Sequence, residues 1–315
     1  MFPAMNVKAL RPFLILVCLF FLISLGCVKE EKPKKVTLRQ KTVGTGTEIE
    51  YPRKDTLWFG FDLRLGPKED VMIYIPFLKY LEKATGMRFR IKFTERYEDT
   101  VQNLGSGVTQ FAAIGALSYA AGEAEYGISY LVSGVNKDGS PTYHSVIFTR
   151  PESGIRDLKD LKGRCFAFGS RMSTQGHIIP RKMLEDEGVT LRDMGKHIYT
   201  GSHLDTLKEV LNGECDAGGI QDTLAERMAS EGKIRILKTS GPYPGSLIAY
   251  SSAVDVKTVE AVKAALLALE PMGKHKGILF DWDKTEMPLG FMEVDQPELD
   301  KVKTLARNYG LLKGN

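Results

Sequence analysis

Two rhythms of apolar residues alternate from Thr56 onward. Short runs that are continuous or of period two predict strands at Leu57–Phe61, Arg88–Phe93, Phe111–Ile114, Ile128–Val132 and Ser145–Thr149. Further strands follow at Cys165–Phe168, Ile198–Thr200, Ala217–Ile220, Ile234–Lys238 and Ser246–Tyr250. Between them, apolar residues at helical spacing predict helices at Val71–Ala84, stopped by Gly86, and at Tyr97–Leu104, Ser118–Ala124, Leu204–Leu211 and Thr223–Ser230. Ile178, Ile179, Met183 and Leu184 mark another. Asp255 caps a helix from Val256 to Leu269, and Pro297 opens the last, which runs to about Asn308. Strand and helix in alternation imply an α/β fold of parallel sheets covered on both faces. The length suits two lobes. Composition breaks at Tyr143–Arg150 and Gly241–Ser251 mark the crossings, giving one lobe from 55–147 plus 246–315 and another from 148–245.

The first 54 residues follow another pattern. Lys8 and Arg11 precede an apolar run from Phe13 to Leu25, the layout of a secretory signal over residues 1–26. The run ends Ile23-Ser24-Leu25-Gly26-Cys27, which resembles the lipobox of bacterial lipoproteins, with Ser24 where leucine is usual. That resemblance implies lipidation of Cys27; an ordinary signal or an anchor helix is the alternative. Residues 27–54, rich in Lys, Glu, Thr and Gly, read as a flexible tether, with a reach of roughly 30 Å. Both readings put the body outside the cytoplasmic membrane.

Charge adds little. The net charge is +4, of which the leader carries two, with acids and bases interspersed. This is too mild for a nucleic-acid binder. Only Cys165 and Cys215 remain in the body, too few for a disulfide framework. They could pair outside the cytoplasm, but buried free thiols are the favoured reading. No spacing suits a metal, and no cofactor is expected.

Candidate chemistry sits where predicted strands give way to helices, the place where open α/β sheets bind ligands. The first junction carries Arg64, Lys68 and Asp70, the second Ser118 and Tyr119. The third reads Arg171-Met-Ser173-Thr174-Gln175-Gly176-His177, the fourth carries Ser202 and His203, and the fifth Asp222. Each hydroxyl, taken alone, reads as a helix cap. Together with helix-start amides they make a cradle for a small tetrahedral oxyanion. A carboxylate there, Asp222, suits an anion that brings its own proton, such as protonated phosphate, phosphite or a phosphonate; sulfate has none to give. A cap role for Asp222 stays open.

Ser173-Thr-Gln-Gly-His-Ile-Ile-Pro-Arg181 resembles the Ser-Thr-Ser-Gly-His-x-x-Pro-Arg motif of phosphate/phosphite/phosphonate-binding proteins of ABC transporters. Gly115-Ala-Leu-Ser-Tyr119, Gly201-Ser-His203 and Asn212-Gly-Glu-Cys-Asp-Ala-Gly218 are similar to further pieces of that family, in order, over about Leu57 to Val254. The resemblance implies a type II periplasmic binding protein: two Rossmann-like lobes closing on a ligand. It places Tyr119, Ser173, Thr174, Gly176, His177 and His203 at family contact positions, with Asp222 nearest an aspartate contact, and Ser118 and Gln175 beside them are expected at the ligand too. It implies a phosphorus oxyanion captured for an ABC permease by a lipid-anchored monomer that is not an enzyme. Gln175, Ala116 and Gln110 depart from the family pattern and bear on which anion binds. A sensor for a membrane signalling partner is the second reading. A hydrolase built on Ser173 or Ser202 with His177 or His203 and Asp205 is the third, and it lacks the Gly-x-Ser-x-Gly elbow.

Overall fold

The computed structural model describes residues 55–294 and 296–312. The expected signal, the lipidated Cys27 and the whole tether lie outside them. Near the start of the described chain, β1 (Thr56–Phe61) is followed by α1 (Pro67–Thr85), β2 (Arg88–Ile91), α2 (Tyr97–Gly105), β3 (Phe111–Ile114), α3 (Ala116–Tyr126) and β4 (Ser129–Gly134). With β12 (Leu247–Tyr250) and β13 (Phe291–Met292), these strands form a six-stranded sheet in the order β13-β4-β12-β3-β1-β2. The second sheet takes its strands from residues 145–239. Its order is β10 (Arg235–Thr239), β6 (Ser145–Thr149), β9 (Ala217–Gln221), β7 (Cys165–Phe168), β8 (Lys196–Tyr199). A two-stranded ribbon, β5 (Thr142–Tyr143) against β11 (Tyr243–Pro244), lies where the chain passes between the sheets.

Both sheets are mixed, not wholly parallel. β1, β2 and β3 run parallel, as do β7, β8 and β9. β12 and β6, the strands that leave the ribbon, pair antiparallel with their neighbours. The crossing reverses chain direction, which alternation of strand and helix alone does not reveal.

Helix α1 shows why the elements form. Ile73, Tyr74, Phe77, Leu78 and Leu81 are buried at helical spacing, and their stripe packs on Phe59, Phe61, Trp282 and Phe291. The helix begins at Pro67, earlier than its apolar stripe suggests, because proline fits the first helical position. It ends at Gly86 in the left-handed conformation. The second sheet is backed by α5 (His203–Leu211) and α6 (Asp222–Ser230), whose Leu207, Val210, Leu224 and Ala225 meet Phe148 and Ile220. α7 (Val256–Leu267) and α8 (Gln296–Asn308) complete the first-sheet side.

Cys165 and Cys215 are joined in a disulfide, which corrects the expectation of free thiols. β7 and β9 are neighbours, Asp216 N donates to Cys165 O, and the two Cα atoms lie 4.7 Å apart. That adjacency of strand starts separated by 50 residues is a tertiary fact, invisible in spacing.

Candidate functional site

The first-sheet side is built by the loop after β1. Asp62 is 1% exposed; its Oδ2 accepts from Gly115 N at 3.0 Å and from Ser118 Oγ at 2.8 Å, while Oδ1 has no partner within the protein. Arg64, two residues on, is also buried. Its Nη1 donates to Glu286 Oε1 at 2.6 Å, and Nη2 has no protein partner. Asp70 shapes the loop: its Oδ2 accepts from the amides of Arg64, Leu65 and Gly66. Glu286 is fixed in turn by Ser246 Oγ at 2.5 Å, and its carbonyl accepts from Tyr143 Oη. Ser118 is not a cap, because α3 starts at Ala116 with Gly115 as its N-cap.

On the second-sheet side, β7 runs into a π-helical turn, Thr174–Ile178, before α4 (Ile179–Asp186). Ser173 caps the turn, its Oγ accepting from Gly176 N at 2.9 Å. Thr174 reaches across: its Oγ1 accepts from Leu117 N at 3.0 Å, at the start of α3. A side chain on Gly115 would meet Thr174 Oγ1 at 3.6 Å, Arg64 Nη2 at 3.7 Å and Asp62 Oδ2 at 3.8 Å, so these groups converge on one spot. At 176 there is no room for a side chain unless its neighbours shift. A Cβ there would stand 2.9 Å from Ser173 Oγ and 3.2 Å from both Gly169 Cα and His203 Cε1. His203 follows Ser202, the N-cap of α5, and neither of its ring nitrogens has a protein partner. Leu204 N reaches Arg64 O at 3.4 Å. Ser145 donates to Gln175 O at 2.6 Å and pairs in register with Gln221. Gln175 Nε2 and Gln221 Oε1 are likewise without protein partners.

Burial sets the charge states. Asp62 is pushed up to about 7 by burial, against the pull of Arg64, the Gly115 amide and Ser118. His203 is driven down to about 3 by burial and by Arg64, so the ring is neutral, with one nitrogen donating and the other accepting. Buried polar atoms are normally satisfied. Here Arg64 Nη2, His203 and Gln175 Nε2 supply donors and Asp62 Oδ1 and Gln221 Oε1 supply acceptors. That set suits a small ligand carrying several oxygens and at least one proton. Among the described residues, no group of three or more His, Cys, Asp or Glu could hold a metal.

Not every residue singled out from sequence has a free polar group here. Both nitrogens of His177 are engaged, with Arg171 O at 2.6 Å and Tyr199 Oη at 3.2 Å, and burial lowers it to about 4. Tyr119 donates to Glu123 at 2.7 Å, at the contact with Lys303 of α8. Asp222 is the first residue of α6, with Gln221 as N-cap, and its oxygens accept from His144 N and Thr223 N, stitching β9 to the strand crossing. Arg171 lies over the Tyr199 ring at 4.0 Å. Sequence reasoning missed Asp62 and Glu286. Asp62 follows directly on the end of β1, a position that could have flagged it. Glu286 lies in an aperiodic stretch that carries no signal.

Residues 59–298 match the family described as the periplasmic substrate-binding protein of the phosphonate ABC transporter. The chain belongs to this phosphonate-binding family. Its members are substrate-binding proteins, not enzymes. The phosphate-import protein PhnD of Mycolicibacterium smegmatis is 27% identical over 206 residues, 60% of this chain and 64% of that protein. The phosphonates-binding periplasmic protein of Escherichia coli is 30% identical over 111 residues, 34% of this chain and 33% of its own length. The chain thus spans less than two thirds of these curated relatives. Among solved structures, PhnD1 of Prochlorococcus marinus in complex with methylphosphonate superposes with a TM-score of 0.74 at 19% identity, covering 82% of this chain and 99% of that one. The fold shared with this phosphonate-binding protein is the two-lobed periplasmic binding protein fold, and the groups gathered around Gly115 come from both of its sheets.

Proposed function

We propose that the protein captures a phosphorus oxyanion, namely a phosphonate, phosphite or phosphate, outside the cytoplasmic membrane and delivers it to an ABC permease. In this reading it acts as a monomer, tethered by residues 27–54 to a lipid on Cys27 at the periplasmic or cell surface. Its lobes are 55–147 plus 246–315 and 148–245. The observation that carries the reading is that Asp62 and Arg64 of one sheet and Thr174 of the other gather around Gly115, with His203 beside Gly176, and that Asp62 Oδ1, Arg64 Nη2 and both His203 nitrogens are buried with no protein partner. Membership of the phosphonate-binding family and the names of the relatives favour phosphorus over other tetrahedral centres. Ser173, Thr174, Gln175, Gly176 and His203 form the clamp on one side, and Asp62 and Arg64 the clamp on the other. Ser118 holds Asp62, while His177, Tyr119 and Asp222 have their polar groups engaged by neighbouring residues.

Ligand that binds only the folded state raises the melting temperature. A thermal-shift panel of methylphosphonate, phosphite, phosphate, sulfate and methanesulfonate tests the assignment. At least one phosphorus anion stabilises the protein under this reading; indifference to all three sinks it. A sensor role uses the same cleft, and a permease reconstitution assay separates it from transport.

A further inference from the structure

We infer that Asp62, with Arg64 held by Glu286, reads the proton on the ligand. The site takes a singly protonated phosphorus oxyanion, Asp62 Oδ1 accepting its P–OH and Arg64 Nη2 donating to an unprotonated oxygen, and it rejects tetrahedral anions that have no proton to give. This rests on the function proposed above and adds what selects the anion.

The geometry leaves Asp62 one task. Its Oδ2 is filled by Gly115 N and Ser118 Oγ, so Oδ1 alone is left without a protein partner. An ionised carboxylate can only accept, and an acceptor against an oxyanion repels unless the anion brings hydrogen. The surroundings do not cancel that repulsion. Arg64 lends one amino group and much of its charge to Glu286 at 2.6 Å. With all three ionised, the cluster Asp62, Arg64 and Glu286 carries one net negative charge. The other titratable groups facing it are Tyr74 from α1, Tyr97 from α2, Tyr143 from β5, His203 from α5 and, toward Glu286, Asp222 of α6. Burial raises the three phenols and lowers the imidazole, so these four are neutral; it also raises Asp222, whose oxygens are taken by the amides of His144 and Thr223. Asp70, behind Arg64, is committed to three backbone amides. A ligand therefore meets neutral donors, half of one guanidinium and a carboxylate that demands a proton.

Phosphorus oxyanions of this type lose their last proton between about pH 6, as a phosphate monoester does, and about pH 8, as an alkylphosphonate does, because carbon withdraws less charge than an ester oxygen. Asp62, raised to about 7 by burial, has a comparable hold on it. The complex keeps one proton in the Asp62–ligand hydrogen bond. At about pH 9, where both partners are mostly ionised when free, binding takes one proton up from solvent. A sulfonate has lost its proton at any working pH and brings none.

The test is calorimetry on the mature protein at about pH 9, where the free partners are mostly ionised, in two buffers of different ionisation heat, with methylphosphonate and methanesulfonate as probes and the near-isosteric Asp62→Asn as comparison. The wild type should take up close to one proton per methylphosphonate and give no binding heat with methanesulfonate. In Asp62→Asn the uptake should vanish, and methylphosphonate should bind roughly 10- to 100-fold more weakly, the loss of one hydrogen bond to a charged group. Methanesulfonate should gain measurable binding, because the asparagine amide donates. Wild-type binding without proton uptake overturns the inference even if the variant does not fold. So does a folded variant that keeps wild-type affinity, uptake and sulfonate rejection. A wild type that binds no phosphorus anion instead overturns the parent reading, and this one with it.

Discussion

At the scale of single residues, the cleft is a set of buried groups whose charge states follow from burial, and these have consequences for stability. Asp62 ionises near 3.8 in the unfolded chain and near 7 in the fold. Between those values the unfolded state binds fewer protons, so folding stability falls as pH rises through the window. Asp62→Asn has no such penalty. The unliganded variant should melt at about the same temperature as wild type near pH 4. It should gain several degrees on it by about pH 8, with most of the gain complete near pH 7. Melting curves at matched pH check this; a constant offset across the range would mean that Asp62 titrates as an exposed acid. Comparing variant with wild type cancels the opposite acid-side contribution of His177 and His203, which burial keeps neutral. Residue identity was only partly legible. The Ser173–Thr174 pair and His203 stand out in sequence because they follow predicted strands and carry donors. Glu286 could not stand out, since its role depends on Arg64 and Ser246, 222 and 40 residues away.

At the scale of elements, the turn from β7 to α4 is the part of the structure that sequence located well but shaped imperfectly. A helix start after Phe168 was readable; a π-helical first turn was not, because it depends on the contact of Gly169 N with Gly176 O at 2.7 Å and on Ser173 closing on Gly176. Strand positions were legible from apolar runs, whereas pairing direction was not, since β6 and β12 pair antiparallel only after the chain crosses the ribbon. The disulfide at the starts of β7 and β9 belongs to this scale. It closes a loop of 50 residues that contains α4, β8 and α5. Replacing both cysteines by alanine should cost roughly 3–4 kcal/mol of stability. Oxyanion affinity should stay within about twofold, because neither sulfur is among the groups of the cleft; urea unfolding and a ligand titration read the two effects separately. A destabilisation confined to a few tenths of a kcal/mol would show that the loop is ordered without the bond.

At the scale of the whole molecule, the two sheets meet through few polar contacts, and Thr174 makes a central one. Its oxygen accepts from Leu117 N, at the start of the helix opposite, which leaves its hydroxyl hydrogen for a ligand. Two-lobe capture proteins work by shifting a balance between open and closed arrangements, and a group that joins both lobes and ligand shifts it most. Thr174→Val keeps the shape and removes both bonds. Titration calorimetry of wild type and Thr174→Val with methylphosphonate, phosphite and phosphate tests this most directly. One-to-one binding of at least one of these anions to wild type, weakened about 10-fold or more in the variant, is the predicted result. No binding by wild type, or equal affinity in both proteins, would contradict an oxyanion clamp at this cleft.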